Sequence, residues 1–256
     1  MKYTHLRAGR NGAPTLVLSA GLGGAAGFWK PHIDAFSAEF DLLLYDQRGT
    51  GENSEPLGPT SIADMAEDVL AICDAAGVDR FDLIGHALGG LIGLDLAARA
   101  PSRLDRLIAI NAWPEIDHHT SRCFDIRLGV LAEQGLAPFV ALQQNFLYPP
   151  GFISAHPQRI AAEEAHAIAH FQGAETLTHR INALRAFTLP DMSEGSARVL
   201  LMASKDDALV DVAQSERLAA RVPKARLILY DQGGHALNIT EQARFERDAL
   251  EFLNDR

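Results

Sequence analysis

His235 stands in a glycine-rich loop, Asp231-Gln232-Gly233-Gly234-His235-Ala236, directly after the apolar run Ala225–Tyr230. Asp206 and Asp207 follow another such run, Arg198-Val199-Leu200-Leu201-Met202. An imidazole titrates near neutral pH and can take a proton from a hydroxyl or from water. A carboxylate on its second nitrogen holds the tautomer and stabilises the charged ring. Asp207 is the preferred acid, because it lies nearer the apolar Ala208-Leu209-Val210 segment leading away from the loop, with Asp206 as the alternative. The partner missing from this pair is a nucleophile on a sharp strand-to-helix turn, which the acid and the histidine should follow in that order. Phe81–Ala100 supplies the turn: a short apolar run, then Gly85-His86-Ala87-Leu88-Gly89, then apolar residues at helical spacing. Small residues at 85 and 89 permit the tight backbone. The nucleophile position holds Ala87. A methyl group cannot attack a carbonyl, so the acyl-enzyme route is closed, while a His–Asp pair can still activate water.

Two backbone N–H groups suit a developing oxyanion. One belongs to Leu88, the residue after the nucleophile position; the other to Leu22, in the loop Gly21-Leu22-Gly23-Gly24. That loop lacks the lysine and spacing of a P-loop and lacks a full dinucleotide fingerprint. In proteases stripped of a triad member, such donors together with binding leave catalysis of roughly 10³ to 10⁴ over water. Asp46 and Arg48, in Asp46-Gln47-Arg48-Gly49-Thr50-Gly51, read as loop pins rather than chemistry.

The elements that must position these residues alternate. Residues 1–12 suggest an edge strand and hairpin, with Asn11-Gly12 as the turn. Buried strands are predicted at Thr15–Ser19, Phe40–Tyr45, Phe81–Ile84, Leu104–Asn111, Arg198–Met202 and Ala225–Tyr230. Helices are predicted near 28–38 and over 61–76, 212–222 and 241–254. This alternation means an α/β fold, a mostly parallel central sheet with helices on both faces, whose active residues sit at the carboxyl ends of its strands. From Trp113 to about Pro190 only helical runs appear: 125–134, 138–146, 157–171 and 175–187. The expected organisation is a core of residues 1–112 and 191–256 with a helical cap, residues 113–190, inserted after the sixth strand and lying over the turn. Within the cap a small carboxylate-bearing substrate calls for a positive or donor-rich spot, and bidentate guanidinium binding suits it. Arg122 and Arg127 are the candidates; His170 and Gln172 are weaker ones, and Gly21, His86 and Trp113 complete the candidate pocket.

The 256 residues are 47% apolar, enough for a large core without long disorder. A net charge of −10 argues against nonspecific nucleic-acid binding and anionic membranes. No apolar run approaches the roughly 20 residues of a membrane span, and Met1–His5 has no signal-peptide character, so a cytoplasmic protein is expected. Cys73 and Cys123 provide neither a disulfide framework nor metal spacing; Cys73 reads as core, and Cys123, in a more polar stretch, is open to exposure. No metal and no cofactor is expected. The expected partner is a small-molecule substrate, with a homodimer left open.

Gly21-Leu22-Gly23-Gly24, Tyr45–Gly51, the elbow, the late acid and His235 together resemble the α/β-hydrolase superfamily, over nearly the whole chain. More narrowly, Gly85-His86-Ala87-Leu88-Gly89, Arg122-Cys123-Phe124, Phe146-Leu147-Tyr148-Pro149, Ala169-His170-Phe171-Gln172-Gly173, Asn182-Ala183-Leu184 and Gly233-Gly234-His235-Ala236 look like the D-component family of the bacterial Rut pathway of pyrimidine utilisation. That resemblance implies an α/β-hydrolase fold and a hydrolase of a carbamate or aminoacrylate in uracil catabolism, acting on a carbon–nitrogen bond other than a peptide bond. It implies also that alanine at 87 is native. The chain departs from the wider superfamily at Ala87 and at Ala20, where many hydrolases place histidine. Three functions stay open: a hydrolase without the serine that activates water through His235 and Asp207, an ester or lactone hydrolase carrying an engineered serine-to-alanine change, and a noncatalytic binding protein on a hydrolase fold.

Overall fold

The computed structural model describes residues 1–10 and 12–255. Seven strands form one sheet in the order β1-β3-β2-β4-β5-β6-β7: β1 Thr4–Leu6, β2 Thr15–Ser19, β3 Asp41–Leu44, β4 Phe81–His86, β5 Leu104–Ile110, β6 Arg198–Ser204 and β7 Arg226–Tyr230. Only β1 runs antiparallel to its neighbour. Every residue of β2, β3 and β4 is buried, as expected of apolar runs covered on both faces. The reading of residues 1–12 as strand plus hairpin needs correction. Among the described residues there one strand forms, β1, and the Asn11-Gly12 turn reading falls in part on Asn11, outside the described residues. The long insertion therefore leaves after the fifth strand and not after a sixth.

Two apolar clusters flank the sheet. Helices α2 (Ile62–Ala75), α3 (Leu88–Arg99) and α9 (Val212–Arg221) bury residues such as Val69, Leu91 and Leu218 on one face. On the other, Trp29, Phe36 of α1 (Ile33–Ser37), and Phe245 and Phe252 of α10 (Gln242–Asn254) pack against Leu18, Ile84, Ile108 and Leu200. Helix α2 opens with a reciprocal cap, in which Ser61 and Asp64 each satisfy the other's backbone N–H. A 3-10 turn, Ala26–His32, precedes α1 where a continuous helix was expected.

Between β5 and β6 run α4 (His118–Gln134), α5 (Leu136–Leu147), α6 (Pro150–Ala155), α7 (Pro157–Ala169) and α8 (Ala174–Ala186). Helix α4 begins seven residues before its expected start at 125. Asp117 caps it through Thr120 N–H at 2.8 Å, and its first turn, His118-His119-Thr120, carries no apolar signal. The segment is clamped at its base: Glu115 bridges Thr188, and Leu189 N–H donates to Pro114 carbonyl at 2.6 Å. Phe124, Phe139, Leu177 and Ile181 join the same apolar cluster as α2 and α3. No helix among the described residues is long and apolar enough to cross a membrane.

Candidate active site

The elbow is built by close backbone approach. A Cβ on Gly85 would stand 2.2 Å from Gly89 carbonyl, and one on Gly89 would stand 2.2 Å from the Ser19 oxygen. Only glycine lets α3 start so near β2 and β4. Ala87 is held between them at φ 46 and ψ −107, a region that L residues avoid. Its N–H donates to Ile110 carbonyl at 2.8 Å. Leu88 opens α3, so its N–H belongs to the first turn, which has no intrahelical acceptor.

His235 Nδ1 lies 2.8 Å from Asp207 Oδ2, with side chains only 4% and 0% exposed. The carboxylate can only accept here, so the proton is on Nδ1 and the Nε2 lone pair is free. Asp207 is itself oriented: its Oδ1 accepts from Leu209 N–H at 2.8 Å and Val210 N–H at 3.0 Å. Asp206 does different work, accepting from Gly234 N–H at 2.8 Å and so fixing the histidine loop. The His235 carbonyl is pinned in turn by Asn111 Nδ2–H at 2.6 Å and His86 Nε2–H at 2.8 Å. Burial first, and then the charge His235 can carry, push His86 down to about 3. His86 is therefore a neutral donor at Nε2. A Cβ on Gly21 would come 2.7 Å from its Nδ1, which is why residue 21 has no side chain.

The glycine loop is tied down by two residues that sequence reading did not single out. Gln47 donates to Ala20 carbonyl at 2.7 Å and accepts from Arg180. Arg180, fully buried on α8, also donates to the Leu22 and Gly21 carbonyls, at 3.2 and 3.3 Å. A trans peptide points its C=O and the next N–H in opposite directions. With Gly21 C=O turned toward Arg180, Leu22 N–H is turned away from it. No local signal marks Arg180, since it lies within a helix rich in polar residues. Asp46 pins the neighbouring loop as expected, accepting from Ala26 N–H at 2.7 Å and Glu52 N–H at 2.8 Å, while Arg48 pairs with Asp68.

Ala87, Leu88, Gly21, Leu22, His86 and His235 line one cavity of about 230 Å³. Trp113 and Arg127 join them, with Phe124 from α4, Gln144 from α5, Ala167 from α7 and Leu184 from α8 closing the other side. An engineered cavity of about 150 Å³ holds benzene, so this one suits a small molecule. The remaining candidates lie elsewhere. Arg122 is exposed on α4 and is not part of the cavity wall. His170 is exposed and stacks on His166 with ring centroids 4.1 Å apart. Gln172 does not line the cavity but braces the glycine loop, its Nε2 donating to Leu22 carbonyl at 3.1 Å. Cys123 is buried at 4% exposure, against the expectation from its polar neighbours.

Residues 14–242 match the family model described as the alpha/beta hydrolase fold. A relative from Agrobacterium fabrum, named "Putative carbamate hydrolase RutD", is 47% identical over 94% of this chain and 93% of its own. A second with the same name, from Rhizobium rhizogenes, is 45% identical over 96% of this chain and 95% of its own. This chain is an α/β hydrolase of the RutD family. Solved α/β-hydrolase structures superpose closely on it. The enol-lactonase from Burkholderia xenovorans LB400 gives a TM-score of 0.89 at 25% identity, covering 99% of this chain and 96% of that one. A hydrolase from Pseudomonas aeruginosa PA01 gives 0.88 at 27% identity, covering 98% and 93%. Against that α/β-hydrolase background, the elbow geometry is present in full and the hydroxyl it ordinarily displays is not.

Proposed function

We propose that this protein hydrolyses a small carbamate, in pyrimidine breakdown, by activating water directly with the His235–Asp207 pair. The observation that carries the reading is the placement of His235, held on Asp207 at 2.8 Å, on the same small cavity as an elbow whose nucleophile position is a methyl group. The free Nε2 takes a proton from water as the water oxygen adds to the carbamate carbon. Charge developing on the carbonyl oxygen meets the Leu22 and Leu88 N–H groups. The C–N bond then breaks and the leaving nitrogen receives the proton from His235. Carbamate and water become amine and bicarbonate, and no acyl-enzyme forms. The name borne by the relatives supports a carbamate as substrate, and an enamine acid such as aminoacrylate is the close chemical alternative. Gln144 Oε1, buried on the cavity wall without a hydrogen-bond partner, is suited to accept the N–H of either. The helices α4 to α8 act as the cap that shapes the pocket and keeps bulk water from it.

His235→Ala should lower the rate on a small carbamate by the ~10²–10⁴-fold typical of lost general-base catalysis. Asp207→Asn should cost nearly as much by releasing the tautomer. Stopped assays of amine release on folded variants measure both. An undiminished rate in His235→Ala would remove the water-activation mechanism, and no turnover by the parent chain on any carbamate or enamine would favour a binding role.

A further inference from the structure

Arg180 and Arg127 are both buried, at 0% and 5% exposure, and neither is shifted by a neighbouring carboxylate. They differ in how their donors are used. Arg180 is spent on four acceptors, the carbonyls of Gly21, Leu22 and Arg48 and the side chain of Gln47. Arg127 gives one bond, from Nη2 to Gln143 Oε1, and its Nε has no acceptor. Its guanidinium carbon sits 5.5 Å from the Phe124 ring centroid and 5.9 Å from that of Phe139. Contacts of this kind with a ring take up no hydrogen-bond acceptor, so they do not satisfy the remaining N–H donors. Burial pulls Arg127 down to about 10, so it stays charged at neutral pH.

A buried charge without a counter-charge is costly, and proteins keep one where something else supplies the partner. Arg127 borders the cavity that holds His235 and Ala87. Trp113, on the same wall, has an indole N–H that is also buried and without an acceptor. One positive charge and a second unused donor thus flank a space sized for a small molecule. Packing does not account for them, because an uncharged side chain of similar length would fill the same place between Phe124 and Phe139. We propose that Arg127 is the anion-binding residue of this cavity and selects small ligands that carry a carboxylate or carbamate group over their neutral isosteres. The proposal rests on the reading of this cavity as the substrate site, and it adds the charge the ligand must bear and the residue that receives it.

The test needs no turnover. Propionate and its uncharged isostere butanone are titrated separately into the whole protein and followed by saturation-transfer NMR. Propionate is expected to bind at least about tenfold more tightly, the scale of one buried charge-assisted contact. Arg127→Met should abolish that preference while binding butanone as before, and Arg127→Lys should keep part of it. Equal binding of the two probes by the native protein overturns the proposal, as does an undiminished preference in folded Arg127→Met. Should Arg127→Met fail to fold, the guanidinium ¹⁵N resonances of native Arg127 decide: they shift on adding propionate and not butanone, or the proposal is wrong. The two readings separate cleanly. His235-dependent carbamate turnover without any anion preference overturns this proposal alone. Arg127-dependent propionate binding without turnover supports it and overturns only the hydrolase reading.

Discussion

At Ala87 the backbone adopts φ 46 and ψ −107, and nothing local to an alanine favours this. Such a conformation costs of order 1–3 kcal/mol and persists only where surrounding structure imposes it. Here the glycine approaches at 85 and 89 lock β4, α3 and β2 together, so the strain survives the loss of the hydroxyl it would normally serve. What the strain still secures is the Leu88 N–H at the start of α3 and a clear space on the cavity beside His235. Alanine and serine are close in size, so Ala87→Ser should fold with a urea midpoint close to the parent's. The new hydroxyl beside a histidine already held by Asp207 should behave as an activated nucleophile. Ala87→Ser is expected to hydrolyse p-nitrophenyl acetate with a burst and to take up a serine-directed fluorophosphonate covalently, while the parent does neither. Mass spectrometry of the labelled chain checks this, and absence of an adduct on folded Ala87→Ser would mean that His235 and position 87 are not aligned.

At the scale of elements, the contact that matters most is between α8 and the loop after β2. Arg180 reaches from the middle of α8 to the Gly21 and Leu22 carbonyls, and Gln172, just before α8, reaches the Leu22 carbonyl as well. The insertion thus sets the direction of the peptide that offers Leu22 N–H, in addition to walling the cavity. Arg180→Met would strand several buried acceptors, each costing about 1–3 kcal/mol when left unpaired. Partial rearrangement should leave a net loss of ~2–4 kcal/mol in urea unfolding. On the proposed mechanism this peptide serves the transition state, so kcat on a carbamate should fall more than tenfold with KM little changed. A fall in stability with an unaltered kcat would show that Arg180 holds the fold and not the donor.

On the scale of the whole molecule, burial holds two histidines, His86 and His32, in the neutral form. His86 is pushed down to about 3, chiefly by burial, and His32 is also lowered by burial despite its contact with Glu246. In the unfolded chain both take protons near the ordinary value of about 6.5. Between 6.5 and the folded values the unfolded state binds more protons, so stability is full above 6.5 and is lost as pH falls. The slope is up to ~1.4 kcal/mol per pH unit for each histidine. Urea midpoints should therefore drop from pH 7 to pH 5, and His86→Asn should flatten the decline. A midpoint constant over that range would contradict the neutral, buried state of His86.

The strands, the elbow and the histidine loop were legible in the sequence because each rests on a local signal: an apolar run, a pair of glycines at fixed spacing, a glycine-rich turn. The α/β class followed from their alternation, and the order of elbow, acid and histidine followed from the chain. What local pattern could not decide was orientation. Arg122 and Arg127 stand five residues apart on α4, about 140° apart around a helix of 3.6 residues per turn, so one faces solvent when the other faces the cavity. Cys123 lies four residues from Arg127, on the buried side with it, whatever the polarity of its neighbours in sequence. Asp206 and Asp207 are adjacent in the chain, and only the path of the Gly233-Gly234 loop directs one to a backbone N–H and the other to the imidazole. Arg180 had no signature at all, because its partners are carbonyls of a loop more than a hundred residues away, brought to it by the packing of α8 over the sheet.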